Sequence, residues 1–248
     1  MSVLGALADT YRLLLDPARP VWPDATIRAF DAQVDARRVQ EMLPPGLLAE
    51  PAVTVFVADY PRTSFGVAYR ECGLLLHAQH RGRPVLHCAW MVVDDDAALI
   101  LGRDLLGFPK KLARIELSDE RAVVERRGVR LLELTLRERH RSTDATPFPR
   151  PIVNVKGQPG LAPATLWRMD VPQRVHAGHE VTFDVQLRSG RHDPLDAFDL
   201  GSATLRGRVW RCDLGVPPAG GGRIPRGVVP VGLVPPGWLV ARLPTRCL

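Results

Sequence analysis

Proline and glycine punctuate this chain from end to end, 23 and 21 of them in 248 residues. Proline removes a backbone donor and clashes with the preceding helical turn, while glycine in a helix interior costs about 1 kcal/mol relative to alanine. So many breakers, spread evenly, favour short strands and turns over long helices. At 46% hydrophobic, the chain has ample material for one sizeable core. We read 1–248 as a single, mainly β (α+β) domain.

Residues 25–34, 53–60, 66–80 and 84–93 alternate apolar and polar residues or run rich in valine and aromatics, and are expected to be strands. Arg81-Gly82-Arg83 is a hairpin turn between the last two. Asp35 is placed to cap a short helix through Met42, stopped by Pro44-Pro45-Gly46. Segments 113–117, 122–125 and 129–137 form a meander with Arg126-Arg127-Gly128 as a turn, and 152–156, 182–187 and 203–213 are further strands. Leu4, Leu7, Tyr11 and Leu14 have helical spacing. The stretch 217–236 is dense in proline and glycine and reads as a surface loop; its Gly220-Gly221-Gly222-Arg223 run lacks the ending of a phosphate loop.

Arginine supplies almost all the positive charge. Of the 33 basic residues only Lys110, Lys111 and Lys156 are lysine, and two of them are adjacent within Gly102-Arg103-Asp104-Leu105-Leu106-Gly107-Phe108-Pro109-Lys110-Lys111-Leu112. Arginine stays charged, whereas a lysine amine sheds its proton when desolvated or crowded by another cation, and then attacks a carbonyl to form a Schiff base. The plain alternative is that both lysines solvate a helix end. Adjacent residues of an extended chain point to opposite faces, so Lys111 is free to turn away from Lys110, leaving burial beside Leu106 and Phe108 to do most of the desolvating.

The run Gly102-Arg103-Asp104, then Gly107-Phe108-Pro109-Lys110-Lys111-Leu112, resembles the lysine motif of the acetoacetate decarboxylase superfamily. Tyr69-Arg70-Glu71 with Gly73, Leu86-His87 and Arg150-Pro151 with Lys156 sit in that family's order, and the similarity runs from about residue 40 to about residue 200. The resemblance implies a Schiff base on Lys110, a neighbouring cation in Lys111, and a glutamate, Glu71, facing the amine. Acetoacetate decarboxylase is itself the usual example of an amine activated by a second cation. The resemblance also implies a closed, cone-like antiparallel β-barrel with a few peripheral helices, a homo-oligomer, a small keto acid as substrate, and no cofactor or metal. Two departures stand out. Where the decarboxylases carry a second acid this chain has Phe56, and the arginine expected to receive the substrate carboxylate corresponds to Arg28 only across a small gap. Phe56, Arg28 and Phe108 are therefore the candidate substrate-binding residues.

Other readings are weaker. The net charge of +6 comes from arginines interleaved with acids, without a nucleic-acid motif. No signal peptide or membrane-spanning segment is expected, and Cys72, Cys88, Cys212 and Cys247 are dispersed like the reduced thiols of a cytoplasmic protein. His77 and His80 would face opposite sides of a strand; His176, His179 and Glu180 could meet on a helix, but Gly178 argues for a turn there. Asp94-Asp95-Asp96 ends a strand and cannot converge on one ion. Three functions remain: a decarboxylase of a β-keto acid, an aldolase, dehydratase or cyclase of a larger oxo acid using the same lysine, and a non-catalytic binder of small molecules.

Overall fold

A computed structural model describes residues 20–157, 164–216, 228–235 and 238. Its first strands and helix follow the sequence pattern: β1 (Trp22–Gln33), α1 (Ala36–Met42), β2 (Leu48–Tyr60), β3 (Tyr69–His80) and β4 (Arg83–Val93). Asp35 caps α1 by accepting the Arg37 backbone N–H at 2.8 Å. Arg81 and Gly82 both take positive φ, 52° and 74°, as the two-residue hairpin between β3 and β4 requires. Then come α2 (Asp96–Ile100), a π-helical turn at Leu101–Leu105, β5 (Lys110–Leu112), β6 (Arg114–Leu117), β7 (Arg121–Arg126), β8 (Val129–Ser142) and β9 (Ile152–Lys156). The chain continues with β10 (Ala164–Met169), β11 (Gln173–Leu187), a 3-10 turn at Leu195–Phe198, β12 (Ser202–Leu214) and β13 (Val228–Val234). The helix expected near residues 4–14, the Gly220 run and Cys247 lie outside the described residues. Cys72, Cys88 and Cys212 are buried and form no disulfide there.

Part of the expected 217–236 loop is strand. β13 contains Pro230 and Gly232 and, among the described residues, lies at the end of the sheet, paired with β10. An edge strand has one side free of ladder bonds, so a proline costs it little. The pattern around His176, His179 and Glu180 also resolves differently from the helix-or-turn reading, since all three lie on β11.

All 13 strands join one sheet, in the order β13-β10-β9-β4-β3-β2-β1-β12-β11-β8-β7-β6, with β5 paired to β4. Neighbours are antiparallel except β4 with β5 and β4 with β9. The path is open among the described residues: no ladder joins β6 to β13, so the closed barrel is not formed by backbone pairing. The end carrying β6 is held by side chains instead. Arg70 of β3 donates to the Ile115 carbonyl at 3.3 Å, and Arg28 of β1 donates to the Ser118 carbonyl at 2.6 Å.

The centre of the sheet is buried on both faces. Val53, Val55 and Val57 of β2 join Phe30, Leu74 and Phe183 in one core, whereas Phe56, Ala58 and Tyr60 join Ile27, Leu75 and Met91 in another. This explains runs such as Leu74-Leu75-Leu76, which do not alternate in polarity: every position has a dry side to face.

Beyond β5, one buried cluster ties the sheet together. Asp193 accepts from Lys111 at 2.9 Å, Trp90 Nε1 at 2.8 Å and Arg126 at 2.8 Å, and Lys111 also donates to the His192 carbonyl at 2.7 Å. Burial pushes the Asp193 carboxyl up, but these donors outweigh it and hold it below the usual carboxylate range. A depressed acid stabilises the fold above its unfolded pKa of about 3.9 and loses that contribution as pH falls through the lower folded value. Asp193→Asn should cost about 3–5 kcal/mol in urea denaturation at neutral pH, because two buried cations lose their carboxylate. The difference from wild type should shrink as pH drops below about 4.

Candidate active site

The register of β5 against β4 separates the two lysines. Lys110 pairs with Met91 and Lys111 with Val92. Met91 belongs to the second core and Val92 to the first, so the adjacent amines serve opposite sides of the sheet. Lys111 is spent on Asp193 and the His192 carbonyl. The neighbouring-cation role expected of it is therefore corrected: its charge is already answered by a carboxylate on the far side.

Lys110 turns into a cavity of about 410 Å3 together with Phe56, Glu71, Phe108 and Lys156. Its side chain is 5% exposed, and its Nζ lies 2.6 Å from Glu71 Oε2. The rings of Tyr69 and Phe108 stand beside it, with centroids 5.1 and 5.8 Å from Nζ. Glu71 and Tyr69 are two residues apart on β3 and so share a face. Tyr60, the register partner of Tyr69, directs its hydroxyl at Glu71 Oε1 from 3.5 Å. Burial, and then the Glu71 charge, push both phenols well above the ordinary tyrosine value, so they remain protonated.

Two glycines make this arrangement possible. A Cβ on Gly102 would overlap the Lys110 side chain, lying 2.6 Å from Cδ and 2.8 Å from Nζ. The π-helical turn carries Gly102 against the lysine, and Phe108 returns its N–H to the Gly102 carbonyl at 3.1 Å. A Cβ on Gly73 would sit 2.5 Å from the Phe56 ring. Phe56 is thus a pocket residue, packed edge-on against Phe148 with centroids 5.4 Å apart.

A family model described as acetoacetate decarboxylase (ADC) matches residues 12–221. The chain belongs to the acetoacetate decarboxylase family. Among curated relatives it is 34% identical over 106 residues to the acetoacetate decarboxylase of Burkholderia cenocepacia, covering 40% of this chain and 43% of that one. It is 30% identical over 141 residues to acetoacetate decarboxylase 2 of Mesorhizobium japonicum, covering 53% and 54%. The aligned regions thus span about half or less of each relative. Solved structures share the fold: acetoacetate decarboxylase of Legionella pneumophila superposes with a TM-score of 0.76 at 19% identity over 86% of this chain and 87% of that one. The enduracididine biosynthesis enzyme MppR, complexed with pyruvate, superposes at 0.67 and 19% identity over 80% and 89%.

Within this family member the expected site residues divide cleanly. Lys110, Glu71, Phe56 and Phe108 converge on one cavity. Arg28 does not. Its neighbours Ile27 and Ala29 belong to the second core and Phe30 to the first, so period 2 turns Arg28 away from the cavity, toward the carbonyls of Ser118 and Asp119. Burial there lowers its pKa. The carboxylate-binding role expected of Arg28 is corrected on that ground. His77 meets Thr54 at 2.8 Å and lies 4.0 Å from Asp31, and no group of three candidate metal ligands occurs among the described residues.

The sequence assigned Tyr60 and Tyr69 no site role, although Tyr69 is legible as the same-face neighbour of Glu71. Phe148, Trp22 and Trp167 line the cavity from distant segments and carry no local signal. Gly102→Ala should displace Lys110 from Glu71, and the roughly 1 kcal/mol by which alanine favours helix offsets only part of the about 3–5 kcal/mol lost with a buried pair. We expect a lowered melting temperature together with loss of amine reactivity at Lys110, read by borohydride trapping of a ketone.

Proposed function

We propose that the protein is a Schiff-base-forming carbon–carbon lyase in which Lys110 attacks the ketone of an oxo acid, with decarboxylation of a β-keto acid as its reaction. The observation that carries this reading is the buried contact of 2.6 Å between Lys110 and Glu71. Holding two charges in an apolar cavity costs several kcal/mol per ion. Glu71, within hydrogen-bond reach of the amine, is placed to act as its general base and then as the acid beside it.

The steps balance without another reactant. Neutral Nζ adds to the carbonyl carbon, and Glu71 protonates the carbinolamine oxygen so that water leaves and an iminium forms. The bond from the α-carbon to the carboxylate breaks, its electron pair flows into the iminium to give an enamine, and carbon dioxide departs. Protonation of the enamine carbon and hydrolysis return the ketone and Lys110. Tyr60, a protonated phenol near Glu71, orients the carboxyl. Phe56 and Phe108 contact the substrate and keep water from the iminium.

A second reading, an aldolase, dehydratase or cyclase of a larger oxo acid, is favoured by the apolar ring of Phe56 in the cavity, at the position where the family resemblance leads one to expect an acid. The structural neighbour MppR is described in complex with the condensation product of pyruvate and imidazole 4-carboxaldehyde. Proton loss from the iminium then replaces loss of carbon dioxide.

Borohydride reduction after incubation with acetoacetate or pyruvate, followed by peptide mass analysis, should place the added mass on Lys110 and nowhere in Lys110→Arg. Glu71→Gln should lower turnover about 100-fold or more, the usual range for a positioned acid–base group. Carbon dioxide release supports decarboxylation. An adduct without carbon dioxide supports the second reading, and absence of any ketone adduct overturns both.

A further inference from the structure

The cavity holds a second lysine. Ile152 and Lys156 both line it, as residues of the same parity on β9 should, while Val153 and Val155 face the first core. Lys156 is the third of the chain's three lysines, and its Nζ stands 5.0 Å from the centroid of the Trp167 ring. Trp167 is held in turn by donating from Nε1 to Thr165 Oγ1 at 2.6 Å. Arg150 and Arg168, at either end of this region, have carboxylate partners in Glu50 at 2.5 Å and Asp170 at 3.0 Å. No carboxylate of the described residues lies within ion-pair distance of Lys156.

The strand that carries Lys156 also touches the loop that leads to Lys110. A Cβ added to Gly107 would lie 3.4 Å from Lys156 Cβ and 2.7 Å from the Val155 carbonyl. The loop that delivers Phe108 and Lys110 therefore runs against the strand that carries Lys156. On the same strand face, Asn154 spends its Oδ1 on the Cys88 N–H at 3.2 Å, and its Nδ2 has no partner among the described residues. The lining of the cavity is mostly apolar, with Phe56, Met91, Phe148 and Met169 among its members. At about 410 Å3 the cavity falls within the roughly 300–1,000 Å3 that holds drug-sized ligands, beyond the needs of a four-carbon acid.

The geometry points to Lys156 as the group that receives the substrate carboxylate, and to an oxo acid with an extended apolar body as the substrate class. This rests on the Schiff-base reading of Lys110. Arg28 faces the other core, so the cavity needs another cation for an acid, and Lys156 is the one it has beside Lys110. Its place over Trp167 keeps the ammonium desolvated on one side and open to an anion on the other.

The test compares an acid with the ketone it would yield. Wild type, Lys156→Met and Lys156→Arg are each trapped by borohydride with 3-oxooctanoate and with 2-heptanone, and binding of both is followed by the fluorescence of Trp22 and Trp167. Lys156→Met should raise KM for the acid about tenfold or more, the worth of a hydrogen bond to a charged group, with kcat little changed. It should leave trapping of the ketone within about twofold, and Lys156→Arg should recover most of the loss. In wild type, kcat/KM should rise roughly threefold to fourfold per methylene from acetoacetate upward. Equal effects on acid and ketone, no effect on either, or a preference for acetoacetate would overturn the inference. If wild type forms no adduct with any ketone, the lysine chemistry fails, and the fluorescence titration alone decides Lys156: acid binding lost in Lys156→Met supports its role, and unchanged binding refutes it.

Discussion

Three residues of parallel pairing, Met91 with Lys110, Val92 with Lys111 and Val93 with Leu112, decide what each lysine does. A strand has period 2, so a slip of one residue would send Lys111 into the cavity and Lys110 to Asp193. The register is held from both sides. Asp193 anchors Lys111 on the first core, and the slot over Gly102 receives Lys110 on the second. The short strand is thus fixed by its two charged side chains as much as by its ladder bonds.

The wide, twice-buried sheet is what gives such a strand a dry environment on either face. Charges are rarely fully buried unless paired, and here each buried lysine has its carboxylate, Glu71 for Lys110 and Asp193 for Lys111. The pairs are not equivalent. Asp193 is saturated by two cations and an indole N–H, which makes it a structural knot. Glu71 faces one amine at 2.6 Å and one phenol at 3.5 Å.

The departures from the family pattern concern the substrate and leave the amine in place. Phe56 fills space made by Gly73, and the cavity is lined mostly by aromatic and aliphatic side chains. Apolar walls strengthen every electrostatic interaction inside them, and the charged residues that line this cavity are Glu71, Lys110, Lys156 and Asp170. At 19% identity to these solved neighbours the chain keeps their fold.

Local chemistry made much of the molecule legible beforehand. Positive-φ turns at Arg81-Gly82 and Arg127-Gly128, the Asp35 cap, and most strands follow from residue-by-residue preferences. The lysine pair stood out by rarity, and Glu71 by its place in a family pattern. β13 was hidden because its proline and glycine read as loop, and edge position, which tolerates them, is a property of the whole sheet. Which face Arg28 points to, what Lys111 pairs with across 82 residues, and how Phe148, Trp22 and Trp167 enclose the amine were decided by long-range register and packing alone. A sequence states which residues are capable of the chemistry; the sheet, by assigning each position to one of two buried faces, determines which of them meet.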